Sequence, residues 1–147
     1  MSADHFHRNT AANIRRFNNC LKTQALDTCT FAPQMKVFQT SLPDGLYHVI
    51  LKEWFRQFPR NQFLVIRLED LARNPNKTMN KVLPFLGLSL KDWKMPDKKK
   101  VANRNRGKRN NIGPMKNETR IMLRRFYADH NRQLAQLLGD KKFLWAL

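Results

Sequence analysis

Phe63-Leu64-Val65-Ile66 is a short, continuous apolar run that follows the turn at Pro59. A run with no polar face reads as a strand buried on both sides, the kind found in parallel sheets. Such a strand needs a hydrogen-bonded neighbour along each edge. Nothing else in the 147 residues reads as a confident strand. The expectation is therefore an α/β fold, a parallel sheet with flanking helices, of which this chain holds the helices and one clear strand. Most of the sheet would lie outside the chain, so residues 1–147 read as a fragment of a larger domain.

The remaining segments carry helical patterns. Residues 4 to 22 place Ile14, Phe17 and Leu21 on one face, with Asp4 as the cap. Residues 23 to 42, with Cys29 and Pro33, read as irregular. Ser41 and Asp44 stand at capping-box spacing before a helix over about 44–57, which puts Leu46, Val49, Ile50 and Trp54 together. Pro59 ends it. Asn74-Pro75 opens another helix, with Asn74 as cap and Pro75 as first residue. Met79, Val82, Leu83 and Leu86 form its stripe, Pro84 lies inside it, and Gly87 stops it. Residues 89 to 116 form a long loop rich in Lys, Arg and Asn. The last helix, about 118 to 138, gathers Leu123, Phe126, Tyr127, His130, Leu134, Leu137 and Leu138. Gly139 ends it, and Phe143 and Trp145 are expected to fold back onto the core.

Hydrophobic residues make up 41% of the chain, enough for a packed core. No apolar run approaches the roughly 20 residues of a membrane span, and the N-terminus lacks the apolar centre of a signal peptide. Lys and Arg total 28 against 11 acidic residues, a formal charge of +17. A surface that basic calls for an anionic partner: nucleic acid, a polyanionic sugar, a phosphate-rich cofactor or an acidic membrane. Charge by itself does not choose among them, and it also suits a surface that is simply well solvated.

The segment Lys98-Lys99-Lys100-Val101-Ala102-Asn103-Arg104-Asn105-Arg106-Gly107-Lys108-Arg109 has no acidic residue. Gly107 frees the backbone to turn, so flanking cations can converge on one anion. Lys brings a mobile point charge and Arg a bidentate fork, both suited to phosphate. A solvated loop and a nuclear-localisation-like run fit the same composition. Nucleic acid is disfavoured, because no aromatic residue interleaves the stretch to stack on bases. No Walker-type phosphate loop occurs, nor any motif of a serine hydrolase or zinc protease. Glu69-Asp70 reads as a turn at the end of the strand, His130-Asn131 as a hydrogen-bonded structural pair on the last helix, and His48 on the second helix in the same way. Cys20 and Cys29 fit either a local disulfide or two core thiols, and no metal-ligand set surrounds them. Asn76-Lys77-Thr78 and Asn117-Glu118-Thr119 are acceptor sequons that permit a secretory location.

Taken in order, several segments resemble one family. Gly45 to Arg60 resembles the helix-and-turn segment of luminal carbohydrate sulfotransferases. Phe63 to Leu71, with Pro75 and Phe85-Leu86-Gly87-Leu88, resembles their strand, acidic turn and helix. Arg106-Gly107-Lys108-Arg109, Gly113-Pro114-Met115, Leu123-Arg124-Arg125-Phe126-Tyr127 and His130-Asn131 resemble the cofactor loop and final helix. Phe17-Asn18-Asn19-Cys20-Leu21 and Cys29 point to the branch that 6-O-sulfates N-acetylgalactosamine 4-sulfate in chondroitin.

The resemblance implies the C-terminal part of a P-loop-like sulfotransferase domain. It implies sulfuryl transfer from 3′-phosphoadenosine 5′-phosphosulfate to a hydroxyl of a glycosaminoglycan sugar, chondroitin or dermatan N-acetylgalactosamine 4-sulfate, without a metal. It places nucleotide binding on Arg106, Gly107, Lys108 and Arg109, with Asn110 weaker. It implies a Golgi location with a membrane anchor upstream, and hence a Cys20–Cys29 disulfide. The family's phosphosulfate cradle, its 3′-phosphate Arg and Ser, and its base have no counterpart here, so no catalytic residue is assigned. The alternative is a non-catalytic basic module that binds glycosaminoglycan or RNA.

Overall fold

A computed structural model describes residues 2–35, 41–89, 91 and 114–145. The chain divides into two compact units, Met1–Arg56 with Arg106–Leu147, and Gln57–Asn105.

In the first unit, α1 spans Ala3–Cys20. Ser2, not Asp4, caps it: extended backbone at Ser2 lets its hydroxyl accept from the His5 N–H at 3.2 Å. Asp4 sits in the first turn and pairs with Lys116. Thr10 is buried inside α1, its hydroxyl satisfied by the Phe6 carbonyl oxygen at 2.8 Å. A second helix, α2 (Leu26–Phe31), occupies the stretch read as irregular. Six residues make less than two turns, too few to display a helical period.

The Cys20–Cys29 disulfide joins the end of α1 to α2, with Cα atoms 5.9 Å apart. Cys29 is fully buried among Phe17, Ala32, Met35, Leu46 and Val49, with Cys20, Leu26, Phe126 and Tyr127 packed around them. Phe17 anchors this core, edge-on to Phe126 at 5.6 Å. Burying a phenylalanine from water contributes about 1.5–3 kcal/mol.

The next helix, α3, spans Tyr47–Gln57, after a 3-10 turn at Pro43–Gly45. The expected capping box does not form. Ser41 lies six residues before the helix, and its buried hydroxyl has no hydrogen-bond partner among the described residues. Leu46 and Val49 enter the core as expected, but Trp54 is 51% exposed.

The second unit corrects the strand. Phe63 (φ −120°, ψ 126°) and Arg67 (φ −82°, ψ 140°) are extended, yet no ladder forms among the described residues. Extended backbone becomes a strand only when a neighbour completes its hydrogen bonds. The described residues are therefore helical with no sheet. Leu64 stays 36% exposed, while Val65 and Ile66 are half-buried.

From this segment the chain turns into α4 (Leu68–Arg73). Arg67 grips Asp70 with two bonds, 2.6 and 3.1 Å, so this acidic residue serves structure. Asn74 ends α4 and caps α5 (Pro75–Phe85), its side-chain oxygen accepting from the Lys77 N–H at 3.0 Å. Pro84 falls in the last turn of α5. Gly87, at φ +71°, lets the Leu88 N–H return to the Leu83 carbonyl at 2.8 Å and close the helix.

The longest helix, α6, covers Asn117–Leu138 in the first unit and ends at Gly139 (φ +66°). Asp140 caps a final 3-10 turn that buries Phe143, and Trp145 packs 5.8 Å from the Phe143 ring. The tail folds back as its aromatics imply.

Candidate functional site

Helices α1 and α6 pack against each other in the first unit, and residues of both line a groove of about 640 Å³. Ile14, Phe17, Asn18 and Leu21 recur at helical spacing and line one wall. Glu118, Ile121, Met122, Arg125 and Phe126 do the same on α6. The lining is mostly apolar, with Asn18, Glu118, Arg125 and His130 as its polar groups. Arg125 is exposed and Phe17 is not, so the groove has a charged rim and an apolar floor.

His130 belongs to both the groove and the core behind it. Its ring stacks on His48 of α3 at 5.1 Å, with planes 29° apart, and lies 5.5 Å from Phe126. His48 is 1% exposed. Burial is the main cause that pulls its pKa down to about 4, and the neighbouring His130 and Lys52 add to it. Burial also lowers His130, against a weaker opposing pull from Asp129. Both rings are thus neutral near pH 7.

Neither ring nitrogen of His48, nor Nδ1 of His130, has a hydrogen-bond partner among the described residues. The stack disfavours a shared metal, because in-plane lone pairs on parallel rings do not converge on one ion. Among the described residues no group of three His, Cys, Asp or Glu is placed to hold a metal.

Tyr127 stands one residue beyond Phe126 and turns into the core. Its hydroxyl donates to the Leu42 carbonyl oxygen at 2.9 Å. Burial chiefly, with Tyr47 and Asp44 nearby, pushes its pKa up to about 12, so it is a fixed donor. Near the start of both helices, His7 Nδ1 meets the Thr119 hydroxyl at 2.7 Å, beside the Asp4–Lys116 pair. The hydrogen bond to Lys116 holds the Asp4 carboxyl below its ordinary range and raises the Lys116 ammonium.

Of the residues singled out in the sequence, Cys20 and Cys29 are brought together as a disulfide. Arg106, Gly107, Lys108, Arg109 and Asn110 lie outside the described residues. His130 was expected in a hydrogen-bonded pair; its Nδ1 has no hydrogen-bond partner among the described residues, and its ring stacks on His48 instead. That stack, and the grouping of Asn18, Glu118 and Arg125, went unread in the sequence. The helical spacing on each wall was visible; the meeting of the two walls was not.

The sulfotransferase domain family matches residues 3–132 of this chain. The chain is 38% identical to human carbohydrate sulfotransferase 15 over 98% of its own length and 26% of that protein. It is 29% identical to carbohydrate sulfotransferase 15 of Nototodarus sloanii, covering 92% of this chain and 88% of that one. A more distant relative is human bifunctional heparan sulfate N-deacetylase/N-sulfotransferase 2, 27% identical over 67% of this chain and 13% of that protein. The chain thus spans about a quarter of the length of its mammalian carbohydrate sulfotransferase relatives. No solved structure matches it. With the match running through both compact units from α1 into α6, the chain belongs to the sulfotransferase domain family, with carbohydrate sulfotransferases as its relatives.

Proposed function

We propose that this chain is part of a Golgi enzyme that moves a sulfuryl group from 3′-phosphoadenosine 5′-phosphosulfate to a glycosaminoglycan hydroxyl. The proposed acceptor is N-acetylgalactosamine 4-sulfate of chondroitin or dermatan. The supporting observation is the near-complete alignment of this chain with relatives named carbohydrate sulfotransferase 15. In the reaction, the sugar oxygen bonds to sulfur and the sulfur–oxygen bond to the 5′-phosphate breaks. Adenosine 3′,5′-bisphosphate leaves with the electron pair, and the hydroxyl proton passes to a base. The net charge of +17 suits two polyanionic substrates.

Donor binding is assigned to Arg106, Gly107, Lys108 and Arg109, and we read residues 1–147 as the C-terminal portion of one domain. Fixed cations there would offset charge building on the leaving phosphate. The test is calorimetric titration of adenosine 3′,5′-bisphosphate, at fixed salt, into a protein that also carries the family's phosphosulfate cradle. Changing Arg106, Lys108 and Arg109 together to Ala should weaken binding by at least about 100-fold, since each charge-assisted contact is worth roughly 1.5–3 kcal/mol. Changing Lys98, Lys99 and Lys100 removes equal charge and should cost far less. Equal losses would reduce the segment to bulk charge and reject the assignment.

A further inference from the structure

The two sequons differ in what holds them, and that difference predicts which asparagine carries a glycan. Asn76 and Asn117 are both exposed, and both lie in the first turn of a helix. A transferase that reads Asn-x-Thr must reach the asparagine amide and also the hydroxyl two residues on. In both sequons that hydroxyl is occupied, so the helical turn has to open.

At Asn76 the restraints are local. Thr78 is itself buried, at 6% exposure, and its hydroxyl donates to the Asn74 carbonyl oxygen at 3.1 Å, one turn back. The Asn74 side chain caps the same turn through Lys77. Fraying the start of α5 releases both bonds and uncovers Thr78 from neighbours close in sequence, α4 among them, rather than from a helix distant in the chain. First turns open at low free energy when their bonds are local.

At Asn117 the restraints are tertiary. Thr119 has no exposed surface, and its hydroxyl meets His7 Nδ1, 112 residues away in sequence. Lys116, just before the sequon, pairs with Asp4 of α1. Presenting Thr119 therefore requires α1 to lift from α6, and with it the Phe17–Phe126 contact that closes the core. Once α1 has docked, this sequon is closed.

We infer that Asn76 is the N-glycan acceptor of this protein, and that docking of α1 through His7 and Thr119 closes Asn117 to modification. The Asn76 amide nitrogen would bond to the anomeric carbon of a lipid-linked oligosaccharide diphosphate. The sugar–phosphate bond breaks, the lipid diphosphate leaves with the electron pair, and the amide gives up one proton. The exposed start of α5 leaves room for so bulky a group. The Cys20–Cys29 disulfide fits the oxidising lumen where this chemistry occurs.

The inference rests on the luminal part of the functional reading, so the test supplies the compartment itself. The full chain is expressed in mammalian cells behind a cleavable secretory leader, enzymatically deglycosylated, and mapped by peptide mass spectrometry. Asn76 should be converted to Asp and Asn117 should remain Asn. Asn76→Gln should abolish the mass shift, Asn117→Gln should leave it unchanged, and His7→Ala should raise occupancy of Asn117. A glycan on Asn117 with Asn76 bare, equal occupancy of both, or no glycan in secreted chain would overturn the assignment. Unchanged Asn117 occupancy in His7→Ala would overturn the role of α1. No donor nucleotide or sulfate enters this assay, so its failure is separate from failure of the sulfotransferase reading.

Discussion

A Cβ built on Gly45 would stand 2.7 Å from Cε1 of Tyr127, so the missing side chain at position 45 is what lets the ring seat. The same ring is pinned by its hydroxyl to Leu42, three residues before that glycine. It cannot swing away without losing the bond. Gly45→Ala should therefore destabilise the protein by about 1–3 kcal/mol, the range for overpacking a well-filled core. Tyr127→Phe keeps the ring and should cost less, about 0.5–1.5 kcal/mol. Urea denaturation of both variants tests the ordering; Gly45→Ala at wild-type stability would show that the ring has room to move.

The His48–His130 stack should make stability fall in mild acid. The folded-state pKa of His48 is depressed to about 4 from 6.5, and that of His130 is also lowered. As pH falls through about 6.5 the unfolded chain takes up protons that the folded chain refuses. Stability is thus fully present above that pH and declines toward pH 4. For His48 the loss is on the order of 3 kcal/mol at most. Lys52 works in the same direction and Asp129 opposes it. Denaturation midpoints between pH 4.5 and 7.5 should slope in the native chain and flatten in His48→Phe. Parallel slopes in both would place the titration elsewhere.

The disulfide should hold the α1–α2 corner. Cys29 has no exposed surface, and the bond closes a short loop. Non-reducing mass spectrometry of secreted chain should find no alkylatable thiol. Replacing both Cys20 and Cys29 with Ala should cost roughly 2–4 kcal/mol. A double variant as stable as the native chain would reduce the bond to a by-product of proximity.

The purified chain should transfer no sulfate to chondroitin by itself. No Walker-type phosphate loop occurs in the sequence, and the extended Phe63–Arg67 segment has no ladder among the described residues. Turnover of radiolabelled donor above the no-enzyme background would refute this.

Local rules were enough to place the ends of several elements. Asn74-Pro75 opens α5, Gly87 and Gly139 close α5 and α6, and the tail aromatics return to the core. Each depends on a few adjacent residues, where capping chemistry and a positive φ act at short range. The order of family-like segments was equally plain and led to the sulfotransferase family, while the net charge called only for an anionic partner. Cys20 and Cys29 were open to two states until α1 and α2 brought their Cα atoms to 5.9 Å. His48 and His130 stand 82 residues apart, Gly45 and Tyr127 the same distance, and no period within one helix couples either pair. The apolar run at Phe63 carries strand-forming residues, yet pairing needs a second backbone that its own sequence does not contain. Contacts within a turn are written in neighbouring residues. Contacts between α1, α3 and α6 exist only after the chain has buried its apolar faces, so the stack, the tyrosine lock and the groove were for the tertiary structure to decide.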